Sequence, residues 1–258
     1  MNMRLPATAG VVFAIGAALA LPAVSYGQVQ VIISGGFSPA YREVLPEFER
    51  TTGITVTTAS GASQGTGLDT IAAMLRRGEP ADVVIMNRSG LAELIAQGKI
   101  ATATDLDLAE TLIGVAVRAG SPKPDISTAE TLRQTLRRAK TVAVPGPTAS
   151  RFTEILNRLG ISGEIEVKST GRGAESVAMV ARGDAQLSIQ PVSEILHVPG
   201  VELAGPLPAE LEYREVYAAA IIAGSKQAEA ATRLIAFLSS EPATAAIKRS
   251  GMEPSRRQ

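Results

Sequence analysis

Four short runs of glycine and hydroxyl residues offer the clearest chemistry in the sequence. The first holds Ser34, Gly35, Gly36 and Ser38, and the second Ser60, Gly61, Ser63 and Thr66. The third holds Thr148, Ala149 and Ser150, and the fourth Thr170, Gly171 and Gly173. Each lies between an apolar run and an amphipathic one. A helix that starts there presents unbonded N–H groups and the positive end of its dipole. Amides and hydroxyls that converge on one spot bind an anion. A single serine in such a place is well explained as a helix cap, but four such runs together are harder to explain that way. None has the spacing of a dinucleotide fingerprint or a P-loop. Arg88, Arg151 and Arg172 stand beside the loops. Guanidinium forks match carboxylates in pairs, so the set points to a ligand with several carboxylates more than to a compact oxyanion.

The elements that must position these runs repeat one pattern: an apolar strand, a loop of small residues, then an amphipathic helix. "VQVIISGGFSPAYREVLPEFERTTG" is the first copy, with a strand over 29–34 and a helix over 40–51. "ITVTTASGASQGTGLDTIAAMLRRG", "ADVVIMNRSGLAELIAQG", "TVAVPGPTASRFTEILNRLG", "EIEVKSTGRGAESVAMVARG" and "AQLSIQPVSEIL" follow. Apolar residues in the helical stretches recur at three- and four-residue spacing, and glycines stand just past several helix ends. Alternating strands and helices imply an α/β fold with a mostly parallel sheet covered on both faces. Right-handed crossovers put every strand-to-helix loop at one sheet edge, where such folds bind ligands. Two stretches break the rhythm, 110–128 and 210–225. They read as strands crossing between two lobes. Lobe one is then 28–113 plus 216–258, and lobe two is 114–215. The chain ends in two helices, over 226–239 and 242–249.

The totals exclude several functions. Among 258 residues, 25 Lys and Arg balance 25 Asp and Glu, and no basic stripe appears. That argues against a nucleic-acid partner. There is no cysteine and one histidine, so no zinc or haem site is expected, and no cofactor or metal is implied. Residues 1–27 have a positive start at Arg4, an apolar stretch over 7–24, and small residues at Ser25 and Gly27. This is the pattern of a secretory signal, with cleavage expected near Gln28 and a periplasmic mature protein. The stretch is also long enough for a membrane anchor.

The chain resembles the exported solute-binding proteins of ABC importers, in particular the molybdate-binding branch of the two-lobed type II fold. The resemblance rests on "VIISGGFSPAYREVLPEFERTTG", "SGASQGTGLDTI", "GEPADVVI", "VARGDAQLSI" and "AATRLIAFLSSEPATAAI". It implies an oxyanion held between the lobes by neutral hydroxyls and amides. The serines of the first two loops then match Ser34, beside Gly35, and Ser63. The helix-start amide of the fourth repeat falls near Ala149 or Ser150. The molybdate binders tend to carry a tyrosine where this chain has "LSIQPVSEIL", with Gln190 and Pro191, and an aromatic in the loop that here reads "TASRF". With Arg88, Arg151 and Arg172, these departures move the expected ligand from molybdate towards an organic polycarboxylate.

"SIQPVSEILHVPGVELAGPLPAELEY" and the ending "GMEP" also resemble a subgroup of this family that includes a periplasmic aconitate isomerase. That resemblance implies an enzyme that interconverts trans- and cis-aconitate on the same scaffold. Isomerisation needs a base for an allylic proton and fixed donors for the developing charge. Glu194, Glu175, His197 and Tyr213 are candidates, and the sequence does not choose among them. His197, before a Pro-Gly turn, also suits a helix C-terminus, and Glu194 also suits a helix start. The expectation is therefore a binding protein that captures a small anion for an ABC importer. Aconitate isomerisation is the alternative, and a ligand sensor is a third use of the same lobes.

Overall fold

The computed structural model describes residues 27–255, so the expected signal segment lies almost entirely outside the described residues. The order is β1 (Val29–Ile33), α1 (Ser38–Thr52), β2 (Val56–Ser60), α2 (Ile71–Arg76), β3 (Val83–Asn87), α3 (Arg88–Ala96) and the long β4 (Leu106–Arg118). Then come α4 (Ala129–Ala139), β5 (Thr141–Pro145), α5 (Gly146–Arg158), β6 (Glu166–Thr170), α6 (Gly173–Arg182) and β7 (Leu187–Pro191). A single 3-10 turn, Val192–Glu194, leads to β8 (Val201–Pro206). After a second short turn follow β9 (Arg214–Ile221), α7 (Ala228–Leu238), α8 (Glu241–Arg249) and β10 (Glu253–Pro254).

The strands run in the order β2-β1-β3-β9-β4-β7-β5-β6. β1 pairs in parallel with β2 and β3, and β5 does the same with β6 and β7. Between these two parallel groups stand β9 and β4, antiparallel to their neighbours. β4 changes partner along its length. Leu106 to Leu112 pair with β9, and Ile113 to Ala116 pair with β7. One strand thus belongs to both halves, which is why the apolar run in this part of the sequence is so long. The cores divide at the same place. Tyr41, Phe48, Ile33, Ile85 and Leu234 pack in one cluster, while Val115, Val144, Phe152 and Ile189 pack in another. Ile113 packs with the second cluster.

The local reasons are visible in α1. Ala40, Tyr41, Val44 and Phe48 are buried at helical spacing, Pro39 stands in the first turn, and Gly53 ends the helix with φ +70°. Only a left-handed residue closes the last turn in this way, and glycine adopts that conformation without strain. β3 is buried at every position, as a central strand covered on both faces must be.

Three features differ from the sequence reading. A helix over Ala129–Ala139 is present, opened by a capping box at Thr128. Its charged surface leaves only Leu132, Thr135 and Leu136 buried, so its apolar stripe is too narrow to register as a period. β8 lies in a stretch given no element in the sequence reading and pairs antiparallel with β4. The sixth repeat has no full helix. Pro191 and Pro199 leave too little chain between them, and the turn closes through Ile195 N–H to the Val192 carbonyl (3.0 Å).

Candidate functional site

A cavity of about 660 Å³ opens between the two halves. Its first wall comes from the β1–α1 loop and α1 (Ser34, Gly35, Ser38, Arg42) and from the β2–α2 loop (Ser60 to Ser63). Its second wall comes from the starts of α5 (Pro147, Thr148) and α6 (Arg172, Gly173) and from the 3-10 turn (Ser193, Glu194). Glu215 and Tyr217 of β9 close the back. Apart from Arg42 and the two β9 residues, these stand at strand ends or helix starts, as parallel sheets with crossover helices dictate.

The polar groups fall into two sets. Ser34 and Ser38 are 4% and 7% exposed, and neither hydroxyl has a hydrogen-bond partner among the described residues. A buried hydroxyl without a partner costs about 1–3 kcal/mol. Both stand on one cavity wall, where they are available to an anion. Ser63 accepts from the Asn87 N–H (3.1 Å), which ties the second loop to the end of β3. The first helix also starts without a side-chain cap.

The second set is acidic. Glu194 extends from the 3-10 turn so that its carboxyl lies 3.0 Å from where a side chain at Gly35 would begin. It would overlap a side chain at Gly173 outright. A side chain at Gly36 would likewise overlap the Tyr217 hydroxyl. These glycines are therefore required by the close approach of Glu194 and Tyr217, a role distinct from cradling an anion. Gln190 fixes the turn: its amide donates to the Glu194 carbonyl (3.0 Å), and its oxygen accepts from Ser188 (3.2 Å). Burial pushes the Glu194 carboxyl up to about 7, and the charge of Glu215 adds to the effect. Burial also raises Glu215, but Tyr213, Asn87 and Arg151 act against it. Burial, then Glu194 and Glu215, raise the Tyr217 phenol. A carboxyl that titrates near neutrality inside a cleft is suited to receiving and returning a proton.

The structure brings some expected residues together and separates others. Ser34, Gly35, Ser63, Arg172, Glu194 and His197 line the cavity. Gln190 lies directly behind it, fully buried. Arg88 does not line it. Its guanidinium is held by Asp107 and Asp105, each at 2.6 Å, on the outside of α3. Arg151 is likewise outside, paired with Glu154 (2.7 Å) and stacked 5.1 Å over the Tyr213 ring. Ala149 and Ser150 are displaced because α5 begins at Gly146, which leaves Thr148 as the residue that faces the cavity. Glu175 is exposed and accepts from the Gly171 N–H (3.0 Å), so it braces the α6 entry and does not line the cavity. His197 is exposed at the rim, with φ +63° and Nε2 3.3 Å from the Arg249 carbonyl. Sequence reasoning missed Arg42, Arg182, Asn87 and Glu215, which also line the cavity. Arg42 had a usable signal, standing one turn after Ser38 on the same helix.

Arg172 joins the two walls. Its Nε donates to Asp69 (2.6 Å) and its Nη2 to the Ser60 carbonyl (3.1 Å).

A cleft between two α/β halves joined by exchanged strands, with hydroxyls and helix starts on both walls, defines the two-lobed solute-binding proteins. The chain belongs to the bacterial extracellular solute-binding protein family, whose pattern it matches over residues 29–253. It is 36% identical over 257 residues to an aconitate isomerase from Pseudomonas sp, covering 98% of each chain. Among solved structures it resembles the periplasmic molybdate-binding protein of Azotobacter vinelandii, with a TM-score of 0.71 and 18% identity over 89% of this chain and all of that one. It also resembles the sulfate-binding protein SubI of Mycobacterium tuberculosis, with a TM-score of 0.70 and 22% identity over 88% and 87% of the two chains. At these identities the two structures establish the fold alone.

Proposed function

We propose that this protein is an exported isomerase that moves the double bond of an aconitate-type tricarboxylate, with Glu194 carrying the proton. The observation behind the proposal is the Glu194 carboxyl, which faces a cleft between both lobes with its acidity brought to about 7. The isomerase from Pseudomonas, similar over nearly the whole chain, supports the substrate class. The lobes are taken as 28–113 plus 216–258 and 114–215, closing by a hinge on β4 and the entry to β9. The leader over 1–27 would direct the chain to the periplasm.

The step balances without a co-reactant. The Glu194 carboxylate takes a proton from the methylene carbon next to the double bond. The released electron pair spreads through the double bond on to the terminal carboxylates. Glu194 then returns a proton to the carbon at the far end, and the double bond has moved by one position. The developing charge is met by donors already in place: the Ser34 and Ser38 hydroxyls, the N-terminus of α6 and the guanidinium groups of Arg172 and Arg42. Gln190 holds the turn that aims Glu194.

Capture of a polycarboxylate or oxyanion for an ABC importer is the second reading. It is favoured by the two unpartnered neutral hydroxyls of the first loop. Proton NMR of trans-aconitate with the purified mature protein separates the two. The isomerase reading expects cis-aconitate signals to grow over hours, and a Glu194→Gln variant to slow them roughly 10²–10⁴-fold. Broadened but unconverted signals would leave capture standing. Sharp, unshifted signals would remove the tricarboxylate from both readings.

A further inference from the structure

Two carboxyls meet at the back of the cavity, one from each half of the molecule, and their surroundings are opposite. The Glu194 side chain receives no hydrogen bond among the described residues. Glu215, 5% exposed, receives the Tyr213 hydroxyl at 2.5 Å. The Tyr213 ring carries the Arg151 guanidinium on its face, 5.1 Å from the centroid. Arg151 and Tyr213 belong to a separate outer pocket of about 410 Å³ with Glu154, Arg158 and Arg214. A chain of contacts therefore runs from that outer pocket, through Tyr213 and Glu215, to the cavity that holds Glu194.

We propose that Glu215 is a positioning residue: an anion that accepts the Tyr213 hydroxyl and holds the abstracted proton on Glu194 until it is returned to the substrate. This rests on the isomerase reading, and it assigns the acid–base division between the two carboxyls. Paired carboxyls in unlike environments divide the roles, one staying ionised and the other titrating. Burial raises Glu215 on balance, but Tyr213, Asn87 and Arg151 oppose it, whereas nothing opposes burial and the charge of Glu215 at Glu194. The other titratable and charged groups that line the cavity are Tyr217 of β9, Arg172 and Arg182 at the two ends of α6, Arg42 of α1 and His197 beyond the turn. Tyr217 carries no charge near neutrality, since burial raises its phenol. Arg172 is engaged by Asp69. Glu215 is thus the anion at the cavity wall that can hold the Glu194 proton.

Glu215→Gln keeps the shape of the side chain and an oxygen for Tyr213, and removes only the charge. The acid limb of the kcat/KM–pH profile reports Glu194. It is expected to move down by about one pH unit in this variant. Tyr213→Phe should move it the same way by a smaller step. The same midpoint is read without turnover from the carboxyl carbon of Glu194 in ¹³C-glutamate-labelled protein, assigned by its loss in Glu194→Gln. An unmoved midpoint in folded Glu215→Gln, by either readout, overturns the proposal. Should that variant not fold, Tyr213→Phe decides alone: a downward move supports the proposal and no move overturns it. If the wild-type protein converts no aconitate, the isomerase reading fails, and the carboxyl titration still decides whether Glu215 holds the Glu194 proton.

Discussion

Both lobes enclose the Glu194 carboxyl and Glu215 faces it, so its ionised form is costly in the folded chain. The group binds its proton more tightly folded than unfolded. Its favourable contribution is therefore complete below the ordinary glutamate range, near 4.5, and is lost as the pH rises through about 7. Glu194→Gln should then be more stable than the wild type at pH 8, by up to about 3 kcal/mol, and nearly equal to it at pH 4. Urea unfolding at the two pH values checks this, and equal stability at pH 8 would contradict it. Activity and stability should part in this one substitution, as is usual for a strained site. Glu194 was visible in the sequence as a titratable residue at the start of the sixth repeat's helix, but nothing local ranked it above Glu175 or His197. The ranking depends on enclosure by Gly35 and Gly173, which lie far away in the chain. Glu215 sits in "ELEYREVY", which reads as an ordinary strand entry, and Tyr213 alone marks it two residues earlier. Arg88 and Arg151 were read towards the ligand because their acidic partners, Asp105, Asp107 and Glu154, carry no signal that separates an ion pair from a free charge.

The elements that present the site are short, and their ends matter more than their lengths. Gly173 opens α6, and its missing side chain is the space that the Glu194 carboxyl fills. Gly173→Ala is compatible with the helix, but its methyl would overlap that carboxyl. It should cost turnover roughly 10-fold or more, as a displaced base does, with the fold intact by circular dichroism. Turnover unchanged in Gly173→Ala would show that Glu194 works from another position. The strand–loop–helix repeats were legible because apolar runs, small residues and C-terminal glycines coincide, as at Ile33, Gly35 and Gly53. α4 and β8 were less so. α4 buries a narrow stripe under many charges, and β8 is defined by its pairing with β4, a tertiary event with no local signature. The sixth helix was expected from periodicity in "VSEIL" and is absent because two prolines bound it. That shortening is what turns Glu194 into the cleft, where a longer helix would have used it as a cap.

At the scale of the molecule, β4 serves both halves, so an opening of the cleft would bend the strands that cross it. Arg172 bridges the mouth to Asp69 and Ser60. The pair is partly exposed, so it is worth only about 0.2–1 kcal/mol. Arg172→Ala should therefore favour the open form by up to about fivefold, seen as a larger radius of gyration in solution scattering without ligand. An unchanged radius would mean that the bridge does not govern closure. The two-lobed plan was legible from the two stretches that break the βα rhythm. The latch was not, because Arg172 and Asp69 are brought together only by the fold. In the proposed mechanism one cleft carboxyl moves a proton on a tricarboxylate. Its most direct test is trans-aconitate incubated in D₂O with wild-type protein and with Glu194→Gln, side by side, read by NMR. Cis-aconitate is expected with the wild type, carrying mostly the transferred proton and little solvent deuterium, and almost none is expected with the variant. Conversion by Glu194→Gln at the wild-type rate would contradict it.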